Sequence, residues 1–456
     1  MSATQFDVCI IGAGVAGGTM AAYLGANGLR VAVVEKILAE QDRIVGELLQ
    51  PGGVQMLRNM GLENILEGYD AQPVTGYGIF LNGKHIHIKY PEGAAGCGLR
   101  NGKLVQKIRE RMAELPNVTL FEGNVTNLYE EEGEVRGLHF LPKNSEQPQL
   151  LGAPLTIVSD GIFSAFRDKL ANGQKKVSGH FLGLLLKDCK LPYEHCGHVI
   201  IAKPSPVLCY PVTSTESRVL IDFPQTEAPR KTPEMIDYLR LNIAPQLPEE
   251  IRGAFLNAVE EGKFKMMPNH FYPAKPVLRN GVVLLGDSLN MRHPLTGGGM
   301  TVAFTDCFQL GKQLIARKAN FNAETAKEAV AYFYAHRHES TATINILADA
   351  LYGVMSNEQL KDACYDYLQR GGVHAEEPIS LLSAVSRDKN LLLRHFFAVA
   401  LYGAGNTLGR RPDFTRVKRS WQMLKDAVRI VSPLVLNERP NALTRFAFRT
   451  AGKVLN

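Results

Sequence analysis

Apolar residues in this chain fall into short runs whose spacing separates strands from helices. Residues 8–11 (VCII) and 31–34 (VAVV) are continuous apolar runs around a small-residue segment, which predicts strand, turn, helix, strand over 6–35. A helix is predicted near 53–59, ended by Gly61. At 75–90, Asn82-Gly83 sets a hairpin between YGIF and HIHI. Leu104, Ile108 and Met112 recur every four positions and predict a helix over 99–115. Strands follow at 118–121 and 123–129, a polar loop at 141–153 and a buried strand at 155–159. Further strands are expected at 180–186, 198–201, 207–212 and 218–223, with Pro204, Pro206, Pro211 and Pro224 at edges or turns. Helices at 233–241 and 248–258 lead to a buried strand at 281–285, which runs into Gly286-Asp287, a glycine triplet and a long helix. Alanine- and aromatic-rich helices cover 323–368, and 380–385 and 391–402 are strongly apolar.

At 456 residues the chain is too long for one simple core. The pattern predicts an α/β fold. A Rossmann-like dinucleotide-binding domain is expected in three segments, 1–74, 96–170 and 276–330. A hairpin at 75–95 and a mixed or antiparallel sheet at 171–275 are expected to form the inserted substrate domain. Residues 331–456 are expected to form a C-terminal helical, membrane-associated region.

The opening segment carries the first chemistry. Gly12, Gly14 and Gly17 form G-x-G-x-x-G between the first strand and its helix, and Glu35 ends the second strand. Gly12 suits the tight turn, Gly14 lets a pyrophosphate approach the backbone, and Gly17 lets helix and strand pack closely. An acid at position 35 favours a ribose without a 2′-phosphate, hence FAD or NAD rather than NADP. Gly286, Asp287 and Gly297 to Gly299 repeat the logic of strand, glycine turn and helix.

Net charge is +6, and no zinc finger or RNA-binding signature occurs, so nucleic acid is not expected as a partner. Seven scattered cysteines without a CxxC read as reduced thiols facing a cytosolic environment, and no metal site is expected. No secretory signal precedes the first strand. Residues 8–29 lack charge and mimic a membrane span, but their glycines fit strand, turn and helix better. From 410 to 453 basic residues outnumber acids. Arg410, Arg411, Arg416, Lys418, Arg419, Lys425 and Arg429 are interleaved with Phe414, Trp421, Leu424 and Val428. That mixture predicts helices lying on a membrane surface rather than crossing it; a helical cap or a dimer surface stays open as an alternative.

Three separated segments carry a resemblance. They are GAGVAGG at 12–18 with Glu35, VSDGIFSAFR at 158–167 and GDSLNMRHPLTGGGM at 286–300, and together they resemble group A flavoprotein monooxygenases. DRIVGELLQPGG at 42–53, NMRHPLTGGGMTVAF at 290–304 and KPSPVLCYPV at 203–212 are similar to the squalene monooxygenase (squalene epoxidase) family within that group, and the resemblance covers nearly the whole chain from Phe6. It implies FAD contacts from Gly12, Gly14, Val15, Ala16, Gly17, Glu35, Lys36, Arg43, Arg100, Val125, Asp160, Asp287, Pro294, Gly297, Gly298, Gly299 and Met300. It also implies a catalytic pocket ordered by Tyr77 and Gln50; Leu48 stands where some members carry an aromatic residue.

The implied reaction converts squalene, O2 and reducing equivalents to (S)-2,3-epoxysqualene and water through a flavin C4a-hydroperoxide, in sterol or triterpenoid biosynthesis. Electrons come from NADPH through NADPH–cytochrome P450 reductase or another flavin reductase. The implied place is a membrane, at the cytosolic face of the endoplasmic reticulum in a eukaryote. Other readings stay open: a group A enzyme or FAD-dependent reductase acting on another isoprenoid lipid, or a nonenzymatic flavin-binding membrane scaffold. Oxygen dependence separates a reductase from an epoxidase, and a scaffold would bind flavin without substrate-dependent oxygen consumption.

Overall fold

The computed structural model describes residues 4–171, 173–224, 232–409 and 413–438. Five parallel strands form one side of an eight-stranded sheet, in the order Val118–Glu131, Val31–Glu35, Val8–Ile11, Leu155–Val158 and, at the edge, Val282–Leu284. Val8–Ile11 and Leu155–Val158 are buried throughout, as continuous apolar runs covered on both faces should be. Val8–Ile11 lies between Val31–Glu35 on one side and Leu155–Val158 on the other. Strand order therefore reverses beside it, and a crevice opens beyond the carboxyl ends of the strands.

Glu134–Pro142 and Gln149–Gly152 extend this sheet antiparallel, and Thr4–Gln5 closes its edge. Two expectations are corrected here. Residues 118–131 form one bulged strand, and the segment expected as a polar loop ends in the strand Gln149–Gly152. Its main chain completes the sheet edge, and backbone pairing does not depend on side-chain polarity.

Helix Val15–Ala26 is buried along residues 16–25. It sits between helix Asn101–Ala113 and helix Gly299–Ile315, and its glycines allow the close approach. A Cβ on Gly18 would lie 2.6 Å from Ile108 Cγ2, and one on Gly25 would lie 2.3 Å from Val118 Cγ2.

The second sheet has seven strands, in the order Lys265–Phe271, Lys176–Lys187, Glu216–Phe223, Val207–Pro211, Cys196–Ile200, Gly76–Leu81, Lys84–Lys89. All pairings are antiparallel except Cys196–Ile200 with Gly76–Leu81. The Asn82-Gly83 hairpin thus joins strands that lie far away in sequence.

The C-terminal region is helical: Ala323–Met355, Glu358–Leu368, Val373–Leu382, Lys389–Leu408 and Phe414–Asn437. The expected membrane-association region, and the membrane and endoplasmic-reticulum location built on it, are overturned. Among the described residues no helix is long and apolar enough to cross a membrane. The apolar positions also have protein partners. Met423, Ala427 and Val431 are buried, and a Cβ on Gly403 would lie 2.7 Å from Met423 Sδ. One on Gly353 would lie 2.8 Å from Ile430 Cγ2, and Ser420 Oγ donates to Ala404 O at 2.9 Å. Phe414 and Trp421 stay exposed. Arg410, Arg411 and every position from 439 onward lie outside the described residues.

Candidate active site

A cavity of about 580 Å³ is lined by residues of both large sheets. At one end it meets the glycine turn. Gly12 has φ +94°, and a Cβ there would lie 2.7 Å from Ser159 O. At Gly17 a Cβ would lie 2.0 Å from Gly12 O and 2.2 Å from Ser159 Oγ. At Gly14 it would meet nothing within 4 Å. Two of the three glycines are therefore required by the protein's own packing, and the third leaves open space beside a helix N-terminus that has no side-chain cap. Glu35 steadies this turn: Ala13 N donates to its Oε2 at 2.8 Å and Ile37 N to its Oε1 at 3.0 Å.

Arg109 completes the polar end. It is buried and donates to Ala13 O (3.1 Å), Leu38 O (2.8 Å) and Ile37 O (3.2 Å), with Glu35 3.5 Å away. Burial lowers its pKa and Glu35 opposes that effect. Asn101, Gly102, Val105 and Arg109 form the cavity-facing stripe of their helix.

In the middle of the cavity two loops are tied into one unit. Ser288 Oγ donates to Asp160 Oδ1 and accepts from Gly161 N, both at 2.9 Å. The buried Arg167 donates to Gly161 O, Ile162 O, Asp287 O and Ser288 O, with its guanidinium over the Tyr272 ring. The Asp287 side chain projects into the cavity and is exposed there, although protein surrounds it. That burial raises its pKa, against Arg292, Arg43 and Arg167.

The other end is apolar, with Leu48, Leu208, Leu220, Met267 and Leu295 around Tyr77 and Tyr210. Gln50 Nε2 donates to Tyr77 Oη and to Thr296 O, both at 2.8 Å, and Tyr90 Oη donates to Gln50 Oε1 at 2.7 Å. Burial raises the Tyr77 pKa, so its phenol stays protonated. His198 accepts from Tyr193 N at 3.1 Å, and burial pushes its pKa down to about 4, so it is neutral.

The helical region holds the loop that crosses between the two ends. His293 stacks on Tyr352 with centroids 3.7 Å apart, and its Nδ1 accepts from Leu295 N at 3.2 Å. Arg337 pairs with Asp306 at 2.8 Å and donates to Asn290 Oδ1 at 3.0 Å.

Most of the residues expected from the sequence meet here. Gly12, Gly14, Val15, Ala16, Glu35, Lys36, Arg43, Tyr77, Val125, Asp160, Asp287, Pro294, Gly297, Gly299 and Met300 line the cavity. Four others stand back from it. Gly17 is packed as described, and a Cβ on Gly298 would lie 2.6 Å from Ile344 Cγ2. Gln50 acts through the two tyrosines. Arg100 stands at the N-cap position of its helix, and its side chain pairs with Glu216 at 2.6 Å. Sequence reasoning missed Arg109, Ser159, Arg292 and Tyr210. For Arg109 a signal existed, because it lies four residues after Val105 and seven after Gly102 on the predicted helix. Ser159, Arg292 and Tyr210 lie inside the motifs 158–167, 290–304 and 203–212, which carried the resemblance but no role for these residues.

FAD fits this cavity. The open space at Gly14 suits a pyrophosphate, Glu35 stands within reach of a ribose, and Asp287 offers an acceptor at mid-length. A cradle of that kind opening into a chamber lined by apolar side chains is what an FAD-dependent monooxygenase needs, and the overall fold agrees. The solved structure of a flavin-dependent brominase is similar at a TM-score of 0.71 and 19% identity, covering 88% of this chain and 99% of that one. At that identity the likeness speaks for the fold alone. The sequence narrows the class further. A family model for squalene epoxidase matches residues 152–421. The chain is 42% identical over 449 residues to squalene epoxidase 3 of Arabidopsis thaliana, covering 96% of this chain and 85% of that protein. It is 37% identical over 455 residues to a squalene epoxidase of Schizosaccharomyces pombe, covering 96% and 99%. The chain belongs to the squalene epoxidase family and is an FAD-dependent monooxygenase.

Proposed function

We propose that this enzyme places one terminal alkene of squalene at the apolar end of the cavity, against FAD held at the polar end, and inserts one atom of O2 to give 2,3-epoxysqualene. The observation that carries this reading is the continuity of the two ends in one cavity. Bound FAD, reduced by NADPH-derived electrons, supplies the oxygen-activating chemistry. The chain's own residues bind, orient and exclude water. The glycine turn and the helix N-terminus at Val15 take the pyrophosphate, Glu35 a ribose, and Asp287 the central hydroxyls. Leu48, Leu208, Leu220 and Leu295 select by shape, since a hydrocarbon has no hydrogen-bonding handle. Gln50, fixed by three partners, holds the Tyr77 ring as a wall rather than as an acid or base. A partner flavin reductase, NADPH–cytochrome P450 reductase or another, delivers the electrons.

The test is a reaction of purified protein with squalene, FAD, NADPH, a flavin reductase and ¹⁸O2. Mass spectrometry should find a single ¹⁸O at a terminal alkene. Bound, reduced FAD without labelled product would exclude squalene as the substrate. Asp287→Ala should lower FAD occupancy in folded protein, and unchanged flavin content would remove that role.

A further inference from the structure

Two tyrosines face the apolar end, and their hydroxyls are in different states. The Tyr77 hydroxyl is held by Gln50, which Tyr90 holds in turn. Tyr210 stands two strands away, on Val207–Pro211. At one strand spacing of ~4.8 Å the two residues are about 10 Å apart across the sheet. Gly197 lies on the strand between them, opposite Tyr77. A Cβ on Gly197 would lie 2.6 Å from Tyr77 Cε1, so the Tyr77 ring occupies the space over this glycine, and Gly197 lines the cavity.

Tyr210 is only 4% exposed and lines the cavity, yet its hydroxyl has no hydrogen-bond partner among the described residues. It is not sealed off either, because it is absent from the buried polar atoms that lack a partner. Its cross-strand neighbour Arg218 is not free to serve it. Both prongs of that guanidinium are engaged by Glu47, at 2.6 and 3.1 Å. Burial, and then the Glu47 carboxylate, hold the Tyr210 phenol well above its ordinary pKa, so it is a donor at any physiological pH.

We propose that the Tyr210 hydroxyl recognises the oxygen of the epoxide product by donating a hydrogen bond to it in the cavity beside the Tyr77 ring. The proposal rests on the reading of this end as the squalene site. Squalene offers no acceptor, so the hydroxyl gains nothing from the substrate. The epoxide oxygen is an acceptor, and a phenol in an apolar chamber binds an acceptor far better than a hydrocarbon surface. Tyr210 thereby separates oxidised from unoxidised ends of the same chain. It holds the oxidised end where the leucines alone would make no distinction.

The test is equilibrium binding of squalene and of 2,3-epoxysqualene, each in detergent micelles, to the FAD-loaded enzyme and to Tyr210→Phe with checked flavin content. Epoxide affinity should fall about fivefold in the variant, the worth of one neutral hydrogen bond, while squalene affinity stays unchanged. An equal loss for both ligands would reduce Tyr210 to a packing residue and overturn the proposal. Unchanged affinities for both would do the same. Wild-type enzyme that binds neither ligand would instead overturn the reading of the cavity itself. A second measurement uses the native fold: 3-fluorotyrosine placed at position 210 alone should shift its ¹⁹F signal on adding epoxide and not on adding squalene. Equal shifts with both ligands would overturn the proposal.

Discussion

The two ends of the cavity are made of different material. At the polar end the working surface is main chain: a left-handed glycine, a helix N-terminus and carbonyls stapled by Arg109. Side chains there mostly hold backbone in place. At the apolar end the surface is side chain, set mostly on strands between 76 and 271, where 76–81 pairs with the distant 196–200 and 176–187 with 216–223 and 265–271. The first kind of site depends on clearance. The second depends on buried groups that must be paired, or kept neutral. The two should therefore fail in different ways.

The largest effect is expected behind the apolar end. Glu47 and Arg218 form an ion pair at 2.6 Å, exposed by only 1% and 4%. Burial outweighs pairing at Glu47, whose carboxyl is raised. At Arg218 burial pulls down, but the Glu47 hydrogen bond prevails and the pKa is raised. The two shifts disagree on the net worth of the pair, and the two-pronged geometry favours a charged pair. Arg218→Met leaves a carboxylate buried alone and should cost about 3–5 kcal/mol. The double variant with Glu47→Leu should recover most of it. Thermal denaturation of both variants measures the difference, and no recovery in the double variant would mean that packing, not charge, is at stake.

Next comes pH. His198 has a folded pKa of about 4, below the ordinary 6.5, because burial penalises the cation. The folded state then binds fewer protons than the unfolded state. Its contribution, on the order of 3 kcal/mol, is present above pH 6.5 and is lost as the pH falls from about 6.5 toward 4. The melting temperature should drop across that window, and His198→Gln should remove part of the drop. A variant with the full drop would assign it to other histidines.

The polar end should show smaller and cleaner effects. Gly17→Ala forces a Cβ against Gly12 O at 2.0 Å and should cost about 1–3 kcal/mol together with FAD retention. Gly14→Ala meets nothing within 4 Å, so stability should be unchanged while FAD affinity falls. Differential scanning calorimetry with flavin titration separates the pair. Equal destabilisation by both would contradict the division between packed and open glycines.

The same contrast governs how much could be read from the chain. Strand 8–11, its glycine turn, helix 15–26 and Glu35 lie within thirty residues, so their chemistry is a local pattern. The apolar side of the site is not local. Tyr77 and Tyr210 come together only through a parallel pairing of 76–80 with 196–200 and an antiparallel one onward. Tyr77 and Gln50 entered the reading through family likeness. Tyr210 entered only as part of the motif 203–212, without a role, and Arg109 did not enter at all. The C-terminal region shows a further limit. Basic residues interleaved with apolar ones describe a helix with one buried face, whatever that face meets. The stripe of Met423, Ala427 and Val431 packs on protein.

The sequence by itself determined most of the elements, the dinucleotide turn and the family. Each of these depends on residue types at fixed short spacing, where backbone geometry leaves few alternatives. Only the tertiary structure decided which glycine faces open space, which arginine staples the turn, what covers the C-terminal helices and which of two tyrosine hydroxyls lacks a partner. Those outcomes depend on contacts between residues tens to hundreds of positions apart, and no local spacing encodes them.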